Sequence, residues 1–233
     1  MTPRRGDLDA VTFDAMGTIL TLVDPVPRLQ RALRHHHGVE VSLDRCHVAM
    51  QAEIRHYRAI SHRASTREAL AAVRLECAAV LASALQVGLD AGALLPCLTD
   101  AIAFEAYPDT ADVMQRLRAA GLAIGVVSNW DVSLHDVLAR LGLAPLVDAV
   151  VTSAEVGSSK PDPAIFERAG DLLGARPHRM LHVGDDAEGD VDGARAAHVH
   201  AVHLVRDGTR ATRRPRIATL LELPALLDLD HAA

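Results

Sequence analysis

Five polar residues, far apart in the sequence, are of types that together can act on an anionic substrate: Asp14, Ser128, Lys160, Asp185 and Asp190. Carboxylates that lie close together repel one another and need a cation. Oxygen ligands without a histidine or cysteine partner favour Mg²⁺. A carboxylate can also attack phosphorus and form a covalent intermediate that water later cleaves. The hydroxyl and the ammonium group suit the anionic oxygens of such a substrate.

The elements predicted around these residues bring them to one place. Residues 8–13, 122–127 and 180–183 are short apolar runs, typical of buried strands, and polar residues follow each of them. Further strands are predicted at 149–152 and 200–205, and helices at 110–120, 132–141, 163–173, 191–197 and 217–227. Strands that alternate with helices indicate a Rossmann-like parallel sheet covered by helices on both faces. Ligands bind at the carboxyl ends of such strands, so we expect the five side chains to share one crevice.

The stretch after the first strand has a different pattern. Residues 19–23 suggest a small flap or turn, and helical spacing without strand-like runs then continues to about residue 106. We therefore predict a catalytic core of residues 1–21 and 107–233 and an all-helical insertion of residues 22–106. Asp109 or Thr110 is expected to cap the helix that follows the insertion.

Composition excludes several classes of protein. The 233 residues carry a formal net charge of −6, which argues against nucleic-acid binding. No apolar run reaches the ~18 residues that a membrane helix needs. Three cysteines without a metal-binding spacing indicate buried, reduced thiols and a cytoplasmic protein. Residues 206–216 are basic and are expected to form a solvated surface loop. We expect a monomer or homodimer that binds a small molecule.

Lys160 differs from the other basic residues. It is the only lysine among 24 lysines and arginines. Arginine is larger and forked, and it cannot replace lysine at every site. The survival of a single lysine therefore indicates a functional position.

Four segments carry a resemblance to a known family. FDAMGTIL, VVSN, SSKPDPAIF and HVGDDAEGD, which span Phe13 to Asp190, resemble the four ordered motifs of the haloacid dehalogenase superfamily. The insertion after the first motif resembles the cap of its helical-cap subfamily. The resemblance implies hydrolysis of a small phosphorylated metabolite through an aspartyl-phosphate intermediate.

The resemblance also implies roles for individual residues. Asp14 would be the nucleophile, and Ser128 and Lys160 would bind the phosphate. Mg²⁺ would be held by Asp14, the backbone carbonyl of Met16 and Asp185, with Asp190 supporting the metal or the lysine. Thr18 and Asn129 are further predicted substrate-binding residues.

Met16 departs from the family pattern. Phosphatases of the superfamily usually carry a second aspartate at this position, which protonates the leaving group and then activates water. Methionine cannot transfer a proton, and general acid–base catalysis is worth about 10²–10⁴-fold in rate. A phosphatase could recruit Asp131, Asp186 or a cap histidine instead, or could prefer substrates with good leaving groups such as acyl phosphates.

Two other functions stay open at this point. A 2-haloacid dehalogenase also lacks the second aspartate, but it needs no metal and so would not require Asp185 and Asp190. A degenerate member would bind a phosphorylated ligand without turnover. A phosphonatase would need a lysine in the cap, whereas the only lysine lies outside it.

Overall fold

The computed structural model describes residues 3–206, 208 and 213–229, and the chain divides into two compact units. Unit 1 comprises Met1–Thr21 and Ala106–Ala233, and unit 2 comprises Leu22–Glu105. The strands are β1 Ala10–Phe13, β2 Leu20–Leu22, β3 Phe104–Ala106, β4 Ala123–Ser128, β5 Ala149–Thr152, β6 Met180–Gly184, β7 His200–Leu204 and β8 Arg216–Ile217. The helices are α1 Pro25–His37, α2 Leu43–Ile60, α3 Arg67–Leu85, α4 Ala91–Ala101, α5 Thr110–Ala119, α6 Leu134–Arg140, α7 Ser153–Val156, α8 Pro163–Leu173, α9 Gly193–Ala196 and α10 Leu223–Leu226.

Unit 1 is built on a parallel sheet. Within the described residues this sheet has six strands in the order β5-β4-β1-β6-β7-β8, and each neighbouring pair runs parallel. β1 is buried along its whole length, as expected for a strand covered on both faces. The predicted Rossmann-like parallel α/β fold is therefore confirmed.

Helix α8 shows how local signals and packing agree. Pro163 occupies its first turn, the Asp162 side chain accepts a hydrogen bond from the Ala164 N–H, and Gly174 ends it with a φ of 62°. These are the residue types that favour the start and the end of a helix. Phe166 and its buried neighbours on α8 then pack with apolar side chains of the central strands. This packing fixes the loop that precedes α8, where Lys160 lies.

Unit 2 consists of α1 to α4, with α2 against α3 and α4 against α1 and α3. Ser42, Thr66 and Asp90 cap α2, α3 and α4 by accepting backbone N–H bonds, the usual role of such residues. The three cysteines lie in this unit as buried thiols that form no disulfide, which agrees with the prediction for them. No helix in the described part of the chain combines the length and hydrophobicity that a membrane crossing requires.

Two short strands occur where none was predicted. β2 lies in the segment expected to be a flap or turn, and β3 lies at the end of the region expected to be entirely helical. They pair with each other in a two-stranded sheet. Each is only three residues long, so periodicity along the chain carries little signal for either.

Asp109 occupies the expected N-cap position of α5, but its side chain makes distant contacts instead of a capping bond. Its carboxylate accepts two hydrogen bonds from Arg206, at 2.9 and 3.0 Å, and others from the Thr219 hydroxyl and the Leu220 N–H. No side-chain capping bond is made to α5. Arg206 is mostly buried, so the prediction of a solvated loop is wrong for this residue; residues 207 and 209–212 lie outside the described residues.

The helix predicted at 217–227 is also wrong in part. Ile217 belongs to β8, which pairs with β7 at Leu204. A 3₁₀ turn at Leu220–Glu222 and the short α10 follow it. The pairing partner of β8 is distant in sequence, so the amphipathic pattern of residues 217–227 does not reveal the strand.

Candidate active site

The three central strands of the unit 1 sheet deliver the candidate residues to one edge. β1 lies between β4 and β6, with Phe13 in register with Val126 and Val183. Asp14 directly follows β1, and Ser128 is the last residue of β4. Asp185 follows Gly184, the last residue of β6. Because the strands are parallel, their carboxyl ends meet at the same edge of the sheet.

Asp14 is buried, with only 7% of its surface exposed. Its Oδ1 accepts hydrogen bonds from the Ser128 hydroxyl at 2.9 Å and from the Lys160 ammonium group at 2.5 Å. Its Oδ2 receives no hydrogen bond from the described residues. One oxygen therefore orients the carboxylate, and the other is available to an electrophile or a cation.

Lys160 joins two carboxylates. Its Nζ donates to Asp14 Oδ1 and to Asp190 Oδ1, each at 2.5 Å, and to the Val127 carbonyl at 3.0 Å. These three acceptors match the three N–H groups of an ammonium ion. The loop that carries it is held by Asn129, whose amide accepts from the Lys160 N–H at 2.7 Å and donates to the Lys160 carbonyl at 3.0 Å. Asn129, predicted to bind substrate, thus uses both ends of its amide to position Lys160.

The charges of this cluster shift one another. Burial raises the pKa of Asp14 to about 6; Lys160 opposes this rise, and Asp190 adds to it. Burial by itself would lower the pKa of Lys160, but Asp14 and Asp190 raise it well above its usual value. Burial likewise favours protonation of Asp190, yet Lys160 and His182 hold its pKa far below the usual range. Lys160 therefore stays charged, and the cluster retains an excess of negative charge when Asp14 ionises.

Three carboxylates are close enough to hold one metal ion. Oxygen atoms of Asp14, Asp185 and Asp190 lie within 4.8 Å of one another. Asp185 reaches solvent and is oriented by the Thr18 hydroxyl, which donates to its Oδ1 at 3.3 Å. Oxygen donors of this kind suit Mg²⁺. These carboxylates thus fit the Mg²⁺ that was predicted from the sequence. Thr18, predicted to bind substrate, donates its hydrogen bond to Asp185, one of the candidate metal ligands.

Two glycines allow this close approach. Gly17 has a φ of 84°, and a Cβ added there would lie 2.6 Å from Cγ of Asp185. At Gly184 an added Cβ would overlap the carboxylate of Asp190. Asp190 itself lies in a π-helical segment, Ala187–Asp192, which precedes α9. The predicted helix at 191–197 therefore begins earlier and with a different geometry.

The turn at residues 15–18, which follows Asp14, contains backbone N–H groups of the kind that can bind an anionic oxygen. The Gly17 N–H donates to Leu20 O at 2.8 Å, and the Thr18 N–H points to Ala15 O at 3.4 Å. Those two groups close the turn itself. Only the N–H groups of Ala15 and Met16 remain for a ligand in this turn.

Two buried residues beside the site, Thr12 and His182, were not predicted from the sequence. Thr12 and His182 face each other in register on β1 and β6, and neither is exposed to solvent. The His182 Nε2 lies 3.1 Å from Asp190 Oδ1. The available signal was a polar residue in each of two otherwise apolar strands.

Comparison with known proteins agrees with this architecture, an α/β enzyme with its polar cluster at the strand ends. The model of the haloacid dehalogenase-like hydrolase family matches residues 8–198. The human haloacid dehalogenase-like hydrolase domain-containing protein 3 is 31% identical over 207 residues, 84% of this chain and 81% of the human one. The chain belongs to the haloacid dehalogenase-like hydrolases.

Two further matches are to proteins named as phosphatases. The glyceraldehyde 3-phosphate phosphatase of Methanopyrus kandleri is 36% identical over 111 residues, which is 47% of each chain. The crystal structure of a haloacid dehalogenase-type phosphatase from Thermococcus onnurineus matches with a TM-score of 0.66 and 27% identity. That match covers 94% of this chain and 98% of the other.

Proposed function

We propose that this hydrolase is a Mg²⁺-dependent phosphatase that acts on a small phosphorylated metabolite through an aspartyl-phosphate on Asp14. The observation that carries the proposal is the Lys160 ammonium group bridging Asp14 and Asp190 beside the Ser128 hydroxyl. Ser128 and Lys160 hold one oxygen of the Asp14 carboxylate in place, and the Lys160 ammonium group provides positive charge next to it. The names of the two phosphatase relatives support the same reaction class.

The chemistry would proceed in two displacements. Asp14 Oδ2 attacks phosphorus, and the bond from phosphorus to the leaving oxygen breaks with its electron pair on that oxygen. Water then attacks the same phosphorus, which releases inorganic phosphate and restores the carboxylate. All three N–H groups of Lys160 already have acceptors, so a phosphoryl oxygen would share or replace the hydrogen bond now made to Asp14.

The metal-binding residues would be Asp14, Asp185 and the backbone carbonyl of Met16, with Asp190 in support. When bound, Mg²⁺ supplies the positive charge that offsets repulsion between a carboxylate and an anionic phosphoryl group. Asp190 already holds Lys160 and the Asp186 N–H. Its main contribution in this proposal is therefore to fix the lysine.

The proton for the leaving group does not come from Met16, whose side chain carries none. Asp131 and Asp186, two possible replacements, both bind neighbouring backbone N–H groups, of Ser133 at 2.6 Å and of Glu188 at 3.1 Å. The proposal therefore favours substrates whose leaving group needs little protonation. Introducing Met16→Asp should raise turnover of an alkyl phosphate, by up to about 10²–10⁴-fold if the missing acid is the limiting defect.

We further propose that residues 22–106 act as a helical cap that selects the substrate. The catalytic core would then comprise residues 1–21 and 107–233. The four helices of unit 2 lie in this segment. The protein would act in the cytoplasm on a free small molecule.

A turnover screen tests the proposal. Release of phosphate from phosphate esters and acetyl phosphate is measured with Mg²⁺ or EDTA, with Asp14→Asn as the blank. We expect Mg²⁺-dependent release that the variant lacks. Chloride release from 2-chloropropionate in EDTA would replace the proposal with a dehalogenase. Binding of beryllofluoride with Mg²⁺, but no turnover of any substrate, would indicate a non-catalytic phospho-ligand binder.

A further inference from the structure

A buried polar pair lies behind the candidate active site, on the two strands that flank its centre. Thr12 on β1 and His182 on β6 are register partners, and both are completely buried. The Thr12 hydroxyl lies 2.9 Å from His182 Nδ1. Burial of polar groups is costly unless they are hydrogen-bonded, so one of these two atoms must donate a proton to the other.

The other side of the imidazole determines where that proton is. His182 Nε2 lies 3.1 Å from Asp190 Oδ1, which also accepts from Lys160. The other oxygen of Asp190, Oδ2, accepts from the Asp186 N–H at 3.0 Å, so both carboxylate oxygens act as hydrogen-bond acceptors. Nε2 must therefore carry a proton.

The opposite nitrogen then acts as an acceptor. The Thr12 hydroxyl can donate to Nδ1 at 2.9 Å or to the Leu181 carbonyl, which is more distant at 3.4 Å. The shorter contact assigns the hydroxyl proton to the bond with Nδ1. Nδ1 then carries no proton of its own, and the ring is neutral. The edge of the His182 ring meets Phe166, with ring centroids 5.1 Å apart, so packing also restricts its rotation.

A continuous chain of hydrogen bonds results. Thr12 donates to His182, His182 donates to Asp190, and the Lys160 ammonium group donates to both Asp190 and Asp14. Among the hydrogen bonds of the described residues, none joins His182 directly to Asp14. Its influence on that residue passes through the carboxylate of Asp190 and the ammonium group of Lys160.

We propose that His182 is a positioning residue of the hydrolytic site, a neutral imidazole whose Nε2–H group fixes Asp190 so that Lys160 is aimed at Asp14. Thr12 supplies the hydrogen bond that the opposite nitrogen, Nδ1, accepts. Without the Nε2–H group, Asp190 Oδ1 would keep only Lys160 as a partner, and the carboxylate could rotate with the lysine following it. The consequence for turnover rests on the proposed function, but the tautomer does not.

Nuclear magnetic resonance tests the tautomer without any substrate or metal. The protein is labelled with ¹⁵N at its 13 histidines, and the ring of His182 is identified from the signals lost in His182→Gln. We expect one protonated nitrogen, Nε2, and one unprotonated nitrogen, Nδ1, at neutral pH. A proton on Nδ1, with or without one on Nε2, would overturn the inference.

A matched pair of variants tests the positioning role. His182→Leu removes the donor, whereas His182→Gln can place an amide N–H near the position of Nε2. Using acetyl phosphate with Mg²⁺ as the probe, we expect His182→Leu to lower kcat about 10–100-fold per folded molecule, the usual effect of losing a partner behind a reactive residue. KM should change little, and His182→Gln should recover most of kcat.

A purely structural role predicts a different result. Both variants would then lose stability while kcat per folded molecule stayed at the wild-type value, and this outcome would overturn the proposal. If His182→Leu does not fold, Thr12→Val takes its place: loss of the hydroxyl leaves Nδ1 without its hydrogen-bond donor, so the ring is held less firmly and kcat should fall, whereas Thr12→Ser should keep the wild-type kcat. A wild-type kcat in Thr12→Val would overturn the positioning role. If wild-type protein does not hydrolyse acetyl phosphate, acyl phosphates are removed from the proposed substrates. The tautomer of His182, measured by nuclear magnetic resonance, then decides whether the inference stands.

Discussion

The charge of Asp14 should destabilise the metal-free fold at neutral pH. Asp14 and Asp190 share a single buried ammonium group, that of Lys160. When both carboxylates are ionised, the buried trio carries a net negative charge. Asp14→Asn removes that excess charge while keeping a side chain of nearly the same shape. We therefore expect this variant to be more stable than wild type when no metal is bound.

The pKa of Asp14 sets the size and the sign of the effect. Burial raises this pKa from 3.8 to about 6, and each pH unit corresponds to about 1.4 kcal/mol. Between these two values the folded protein holds a proton that the unfolded chain has released. The contribution of Asp14 to wild-type stability should therefore fall as the pH rises from about 4 to about 6, by at most about 3 kcal/mol, and level off above that. Asparagine does not ionise, so the stability of Asp14→Asn lacks this contribution to the pH dependence.

The assay is urea denaturation of both proteins in EDTA at pH 4 and pH 7.5. The quantity of interest is the free energy of unfolding of the variant minus that of wild type, since effects common to both proteins cancel. This difference should increase by up to about 3 kcal/mol from pH 4 to pH 7.5. Asp9→Asn is the control: Asp9 is exposed and pairs with Arg179, which lowers its pKa, so its difference should be small and of opposite sign.

Mg²⁺ provides a second comparison. Saturating Mg²⁺ should stabilise wild type by mass action and the variant much less, because the variant would lack one of the proposed metal ligands. The advantage of the variant at pH 7.5 should then shrink or reverse. A metal-free variant that is less stable than wild type at pH 7.5, or a difference that does not change with pH, would refute the electrostatic reasoning.

The remaining predictions concern the turn beside Asp185 and the buried ion pair at the start of α5. Gly17→Ala should weaken Mg²⁺ binding in calorimetry by about 10-fold or more, because the added methyl group displaces the carboxylate of Asp185. Gly142→Ala is the matched control, since Gly142 has a similar φ of 71° and open space around it; equal Mg²⁺ affinities in the two variants would contradict the prediction. Asp109→Ala should lower the free energy of unfolding by about 3 kcal/mol, since it leaves Arg206 partly buried without its carboxylate. A loss below about 1 kcal/mol in urea denaturation would show that water replaces the carboxylate.

Much of the architecture follows from signals that are local in sequence. The predicted strand at 149–152 and the predicted helix at 163–173 have the bounds of β5 and α8. Apolar runs, a proline in the first turn and a glycine after the last one act over a few residues, so they can be recognised before the fold is known. The same is true of the family, whose four motifs are each contiguous.

Other elements depend on partners that are distant in the chain. β8 forms because Ile217 pairs with Leu204, and the Asp109 side chain, at the N-cap position of α5, binds Arg206 instead of the N–H groups of the helix. The π-helical geometry of Ala187–Asp192 accompanies the packing of Asp190 against Gly184. Helical periodicity and capping rules do not describe such contacts, so the sequence-based predictions were incomplete or wrong there.

The candidate site shows the same division. From the sequence alone, Asp14, Ser128, Lys160 and Asp185 were predicted to share the carboxyl edge of a parallel sheet, because residue type and position after a strand are properties of the chain itself. Only the tertiary structure decided which atoms meet: that Lys160 binds both Asp14 and Asp190, and that Asn129 holds the backbone of the lysine. It also placed a buried His182 behind Asp190. Hydrogen bonds and pKa shifts depend on distance and burial, and those quantities exist only once separate strands have packed side by side.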